Sequence, residues 1–288
     1  MEHAMVKSKH YSESNYKAIF INGRTYRFAI REGVLITKLP YPEFYDVDIF
    51  GFGGLCNGKC PYCYLSAVPN GGYVEDAVEK IEEYFGVMSE NERPFQVALP
   101  GSGEGYLHPE FIEILEAFYN LEIMPNYTTN GMWSYESKNY INYLMTKTKE
   151  FCGGVAVTCH SHLSKYWIQA LIYLKEYDIK TNIHFVISDE KSVCEFLDIF
   201  DKWYEYFDSA VLLPYGVQGH AKKEKEIAWD YLMNNFPETT KISFGANFYS
   251  YIINDESGKL NLSLYKEKDF SGFLDLSTMQ LHESSWVF

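Results

Sequence analysis

Residues 54–65 read GLCNGKCPYCYL, with three cysteines inside eight positions, Cys56, Cys60 and Cys63. The run allows three readings. Cys60-Pro61-Tyr62-Cys63 has the spacing of a dithiol redox pair, but such a pair opens a helix. Here Pro69, Asn70, Gly71 and Gly72 follow closely, no helix is expected to start after Cys63, and Cys56 is left without a role. A structural zinc wants four ligands, usually as two pairs. The chain has no second Cys-x2-Cys, so a distant His108 or His160 would have to complete the set. The third reading is an iron–sulfur cluster held by three thiolates, which leaves one iron of a cubane open to a ligand.

The flanks of the loop are strand and helix in alternation. Upstream, residues 17–38 read as short strands broken at Asn22-Gly23 and Glu32-Gly33; Asn-Gly between β-rich runs is a hairpin signal. From Tyr45 onward, apolar runs of strand length alternate with segments at helical spacing, such as VEDAVEKIEEYFGVM at 74–88 and HPEFIEILEAFYNL at 108–121. Six βα units are expected between about residues 45 and 236, the last helix being KKEKEIAWDYLMNNF. Strict alternation argues a parallel sheet, open or closed into a barrel, and ligands of such sheets sit at the carboxyl ends of the strands. Residues 237–288 return to β character in KISFGANFYSYII, KLNLSLY and GFLDLSTMQLHESSWVF, and are expected to cover one end of the sheet.

Composition narrows the functional classes. The 288 residues carry 39 acids against 25 bases, a net charge of −14, which opposes binding to duplex nucleic acid. A pocket for a single nucleotide is not excluded by this. The abundant Tyr and Phe are read as core. No apolar run is long enough to span a membrane, and the polar start MEHAMVKSKHYSESN has no signal-peptide core. Six cysteines with this clustering do not form an extracellular disulfide framework, so a cytoplasmic location is expected.

The cysteine run, with aromatic Tyr62 before the last thiol, resembles the signature of the radical S-adenosylmethionine (radical SAM) superfamily. The resemblance extends over about residues 45–220. Gly103-Glu104, in PGSGEGYLHPEF after the second core strand, looks like the family's Gly-Gly-Glu motif, although Gly105 stands where a Pro is common. TTNG at 128–131, with Asn130, is similar to the segment after the third strand. In VAVTCHS, Thr158 takes a Ser position and His160 an acidic one; His184 stands where relatives place Asn. LLPYGVQGHA at 212–221 resembles the loop after the last strand. A lone strand histidine is also an ordinary structural hydrogen-bonder, and Gly103-Glu104 also reads as a turn before a helix.

The resemblance implies an α/β fold, a partial (β/α)6 radical SAM barrel at 45–236, with an N-terminal β appendage at 1–44 and a β-rich C-terminal cap at 237–288. It implies Cys56, Cys60 and Cys63 as ligands of an oxygen-sensitive [4Fe–4S] cluster. Tyr62, Gly103, Glu104, Asn130, Thr158, His160 and His184 become candidates for binding S-adenosyl-L-methionine (SAM). The implied reaction is cleavage of SAM to methionine and a 5′-deoxyadenosyl radical that removes hydrogen from a substrate. The electron comes from a donor such as flavodoxin or ferredoxin. Cys159, at the end of the fourth strand, is the one candidate for a further catalytic group; Cys194 is read as core. The C-terminal stretch LDLSTMQLHESSWVF resembles a peptide-enzyme extension with Ser in place of Cys, which favours a peptide or protein substrate; a small-molecule substrate is the other partner the resemblance allows. The alternatives are nucleotide or nucleobase modification by the same chemistry, and a non-enzymatic iron–sulfur or zinc module.

Overall fold

The computed structural model describes residues 6–11, 16–21, 24–29, 41–100, 102–223, 225–252, 254–255 and 271–282. Three antiparallel strands come first: β1 (Val6–Tyr11), β2 (Tyr16–Ile21) and β3 (Arg24–Ala29). Ile21 pairs with Arg24 across the expected Asn-Gly hairpin. This small sheet rests on the main body through Phe20, fully buried and stacked on Phe95 at 5.7 Å between centroids. The expected turn at Glu32-Gly33 and the strand KLNLSLY lie outside the described residues.

The main sheet is built by alternation: β4 (Phe44–Asp48), α1 (Ala77–Gly86), β5 (Gln96–Leu99), α2 (Phe111–Asn120), β6 (Met124–Thr129), α3 (Lys138–Phe151), β7 (Gly154–Thr158), α4 (Ser164–Glu176), β8 (Thr181–Ile187), α5 (Glu190–Trp203) and β9 (Ser209–Pro214). Each helix buries one stripe: Ala77, Ile81 and Phe85 of α1 recur every four residues and are fully buried. Ser137 and Asp189 cap α3 and α5 by accepting the backbone N–H three residues on. All pairings from β4 through β9 are parallel, the arrangement that strands joined by helical crossovers take.

The C-terminal part departs from expectation. Its described strands extend both edges of the sheet. β10 (Ile242–Phe244) pairs parallel with β9; β11 (Ser271–Asp275) pairs parallel with β4 and carries the antiparallel β12 (Gln280–His282). The order is β10-β9-β8-β7-β6-β5-β4-β11-β12, an open sheet. The helix expected over residues 222–236 shrinks to α6 (Trp229–Asn234). Between the buried Ala221 and Ile227 the sequence offers no apolar side chain to bury, and helices in proteins draw most of their stability from such a face. The Ala228 N–H is used instead by the Ser188 carbonyl. The strand expected over 241–253 stops at Phe244, and α7 (Tyr249–Ile252) follows. Phe244, Phe248 and Tyr251 stand at helical spacing, and each ring packs on Trp229 at 5.4–5.7 Å. An aromatic run that looks β-prone throughout is thus strand only to Phe244, after which the chain turns helically and brings Phe248 and Tyr251 onto the same indole.

Candidate active site

At the carboxyl ends of the core strands lies a cavity of about 400 Å³. Residues two apart along β4 to β8 face it, as the period of a strand favours: Phe44 and Asp46, Ala98 and Pro100, Thr128 and Asn130, Thr158 and His160, His184 and Val186; Thr129 and, at the end of β9, Leu213, Pro214 and Tyr215 reach it as well. Cys56, Cys60 and Cys63 line the same space, as do Gly103 and Glu104. A larger groove, about 700 Å³, runs between β1 and residues 90–95 and 119–122, and none of the cysteines lines it.

The cysteine loop leaves the end of β4. Its flank is fixed by its own backbone, with bridges Gly54–Gly72 and Leu55–Val68 and the Cys56 N–H donating to Val68 O at 2.9 Å. Its apex, Gly58 to Cys63, has no helix or strand. All three thiols are free. The Gly58 N–H points at Cys56 Sγ (3.3 Å) and the Ala67 N–H at Cys63 Sγ (3.4 Å). Burial first, then nearby negative groups, push the Cys56 and Cys60 thiols up to about 12. Thiolates here need a positive partner, and a bound metal centre is the usual one.

The residues fit a cluster better than a single ion. A Cβ at Gly58 would lie 3.5 Å from both Cys56 Sγ and Cys60 Sγ, so glycine keeps the space between the sulfurs clear. A structural zinc would need a fourth protein ligand, and His108, a candidate for that place, has its Nε2 on Val74 O at 3.1 Å and accepts the Glu110 N–H at Nδ1. No helix opens after Cys63, as a dithiol redox pair would need.

Glu104 is 3% exposed. Its Oε1 accepts the Thr129 hydroxyl (2.6 Å) and its Oε2 the Asn130 N–H (2.8 Å), while its own N–H donates to Leu55 O (2.8 Å), next to Cys56. Burial raises its carboxyl to about 7. The Thr129 hydroxyl and the Asn130 N–H that bond the carboxylate are neutral donors, so a cationic group in the cavity is what would favour its ionised form. The neighbouring Gly103 is glycine for packing: a Cβ there would meet the Phe50 ring at 2.4 Å.

The remaining candidates divide. Thr158 and His184 are register partners on β7 and β8, both facing the cavity. Burial lowers His184 to about 4, so it is a neutral imidazole. His160 is also held neutral by burial, and its Nδ1 is already bonded to the Tyr62 hydroxyl (2.8 Å). Asn130 spends its amide on the protein, donating to Asn57 Oδ1 (2.9 Å) and accepting from Met132 N (2.8 Å). Cys159 lies on the other side of the sheet from Thr158 and His160. It is buried in the hydrophobic core, with its thiol toward Val157 O, and it does not line the cavity. Strand alternation separates it from its two neighbours. Cys194 is exposed, not core, and meets the Tyr231 hydroxyl.

Sequence reasoning passed over Asn57, Thr129, Tyr215, His162 and His220. The Asn57 amide donates to Tyr106 Oη at 2.6 Å, tying the cysteine loop to the loop after β5. Tyr215 lines the cavity beside Tyr62, with ring centroids 6.4 Å apart. Alternation along β9 from Leu213 pointed to Tyr215; the loop residues carried no periodic signal.

Comparison with known proteins supplies the context. A family model described as the Radical SAM superfamily matches residues 51–202, more than half of the chain. Streptococcus suis SuiB bound to S-adenosylmethionine is similar in structure, with TM-score 0.61 at 18% identity over 86% of this chain and 61% of that one. SuiB bound to its precursor peptide SuiA gives 0.61 at 17%, over 86% and 60%. Native anSMEcpe with bound AdoMet and the Cp18Cys peptide gives 0.57 at 15%, over 86% and 76%. The chain therefore spans about three-fifths of the length of the SuiB structures it matches. No curated protein sequence matches it.

Proposed function

The chain belongs to the radical SAM superfamily, and on that premise we propose that it is a peptide- or protein-modifying enzyme of that superfamily. Superfamily members are enzymes that use a [4Fe–4S] cluster and SAM. One observation carries the reading: three free thiols and a buried carboxylate share one cavity at the carboxyl ends of a parallel sheet.

In this reading Cys56, Cys60 and Cys63 would hold the cluster, and the chemistry supplied with SAM bound would be hydrogen abstraction by a 5′-deoxyadenosyl radical. The protein's own residues do the positioning. Glu104 receives the cationic amine of SAM. Thr129 and the Asn130 N–H hold that carboxylate in place. Thr158 and His184 offer neutral hydrogen-bonding groups to the sugar and base. Ala98, Val186 and Leu213 give the cavity an apolar wall that keeps water from a reactive intermediate.

The substrate assignment has two supports. The similar structures named above include complexes with a precursor peptide and with a Cys-containing peptide. Among the described residues lining the cavity there is no Lys or Arg, whereas Asp46 and Glu104 are present, an environment that disfavours a nucleotide phosphate. A low-potential donor such as flavodoxin or ferredoxin would supply the electron, in the reducing cytoplasm. Among the described residues no helix is long and apolar enough to cross a membrane.

The test is anaerobic reconstitution followed by SAM and dithionite. Release of 5′-deoxyadenosine is expected, and a peptide fraction from cell extract should stimulate it where a nucleotide fraction does not. Stimulation by nucleotides alone would replace the peptide reading. No 5′-deoxyadenosine from cluster-loaded protein would sink the enzyme reading.

A further inference from the structure

The apex of the cysteine loop is gripped by imidazoles that come from two other loops. Its flank has backbone bridges, but residues 58–63 carry only one internal backbone bond, Cys63 N–H to Cys60 O at 3.3 Å. Lys59, in the middle, sits at φ 51°, a left-handed conformation that a non-glycine residue holds only when its surroundings impose it.

Those surroundings are three histidines. His220, in the loop after β9, donates its backbone N–H to Cys63 O (2.9 Å), and its Nδ1 faces Cys60 O at 3.4 Å. A carbonyl only accepts, so Nδ1 is the protonated nitrogen. His162, in the turn after β7, places Nε2 3.3 Å from Gly58 O. His160, stacked on His162 at 5.5 Å, holds the Tyr62 hydroxyl. Gly219 makes the approach of the β9 loop feasible: its φ is +61°, and a Cβ there would come within 2.5 Å of both Cys63 O and Tyr64 O. The carbonyls of Gly58, Cys60 and Cys63, two of them belonging to proposed cluster ligands, thus take hydrogen bonds from outside the loop.

We infer that His162 and His220 are positioning residues: by donating to the carbonyls of Gly58 and Cys60 they hold the apex in the shape that keeps the cluster bound. The inference rests on the cluster assignment proposed above. It concerns hydrogen-bond donors and not bulk, and amide substitutions separate the two. In Asn the amide nitrogen occupies the place of histidine Nδ1; in Gln it occupies the place of Nε2.

The experiment uses the full chain, reconstituted anaerobically, as wild type and as His220→Ala, His220→Asn, His220→Gln, His162→Ala and His162→Gln. Iron and sulfide content, the EPR spectrum of the dithionite-reduced protein and the rate of iron loss to a chelator are measured. Circular dichroism checks that each variant folds. Loss of one such bond should speed iron loss roughly 2- to 10-fold and alter the EPR line shape. His220→Asn and His162→Gln should restore wild-type retention, while His220→Gln should behave like His220→Ala. Alanine variants with unchanged retention and spectrum overturn the inference. So do rescue variants that match alanine, because the ring would then act by packing. If His220→Ala does not fold, the contrast between His220→Asn and His220→Gln decides. A wild type that takes up no cluster overturns the cofactor assignment and this inference together; a wild type that loads, beside variants that retain iron equally well, overturns the inference alone.

Discussion

Replacing Glu104 by Gln removes the charge that its carboxylate could present to a cationic ligand, and little else. The carboxylate has two acceptor bonds to satisfy, from the Thr129 hydroxyl and the Asn130 N–H. A glutamine can turn its carbonyl oxygen to the Asn130 N–H, which is fixed, and its amide nitrogen to Thr129, whose hydroxyl can rotate and accept. The link from the Glu104 N–H to Leu55 O belongs to the backbone and survives. Fold and iron content should therefore be preserved. What disappears is the charge-assisted bond to a cationic ligand, worth about 1.5–3 kcal/mol, or roughly a 10- to 150-fold loss of SAM affinity. Anaerobic equilibrium dialysis with labelled SAM measures this, with iron and sulfide assayed on the same samples. SAM affinity within about twofold of wild type at equal iron content would refute the assignment of Glu104 to the SAM amine; twofold is below the loss expected of even one neutral hydrogen bond.

The other predictions concern the thiols, pH and charge. Cys56→Ala, Cys60→Ala or Cys63→Ala should each abolish uptake of about four irons per chain, and Cys152→Ala or Cys194→Ala should not; a full iron complement in Cys56→Ala would exclude the three-thiolate assignment. Burial raises Glu104 from 4.5 to about 7, so without ligand the folded state keeps a proton that the unfolded chain releases. Its contribution to stability is therefore present below pH 4.5 and is lost as pH rises towards 7; urea melts of the cluster-free protein should show this slope flattened in Glu104→Gln. With a net charge of −14, the protein should not retard duplex DNA or RNA in a gel shift at about 0.15 M salt; salt-sensitive submicromolar binding would bring nucleic-acid modification forward.

The parallel core was legible because its signal is periodic. Apolar residues at helical spacing bury the stripes of α1 and α2, and strand alternation sends Thr128, Thr158 and His184 into the cavity. The same alternation assigns Cys159 to the core, and applying it at that position would have removed the residue from the candidates. Edge assignments were less accessible. That β11 pairs with β4, more than 220 positions away, depends on a non-local contact that no local pattern encodes. The segment at 245–251 was misread because aromatics favour strands in general, while here Phe248 and Tyr251 turn back to pack with Phe244 around Trp229. The histidines at 162 and 220 were not singled out, although His220 lies in the recognised loop at 212–221: their partners are backbone carbonyls, and carbonyls have no sequence identity.

Those carbonyls matter because the site is a set of loops tied end to end. The loop after β4 holds the thiols, and its Leu55 carbonyl accepts the Glu104 N–H from the loop after β5. The Glu104 carboxylate is gripped by Thr129, at the end of β6, and by Asn130, which reaches back to Asn57 between the first two cysteines. Asn57 closes the circuit by donating to Tyr106, two residues past Glu104. The proposed cluster ligands and the proposed amine acceptor therefore share one hydrogen-bonded frame in which every connection is 2.9 Å or shorter. Side chains in one such network couple energetically instead of adding. A ligand that draws Glu104 toward it also pulls on Leu55, next to Cys56, and a cluster that draws the thiols together pulls on Glu104. The physical consequence is reciprocal: whatever free energy a bound cluster lends to SAM, bound SAM returns to the cluster.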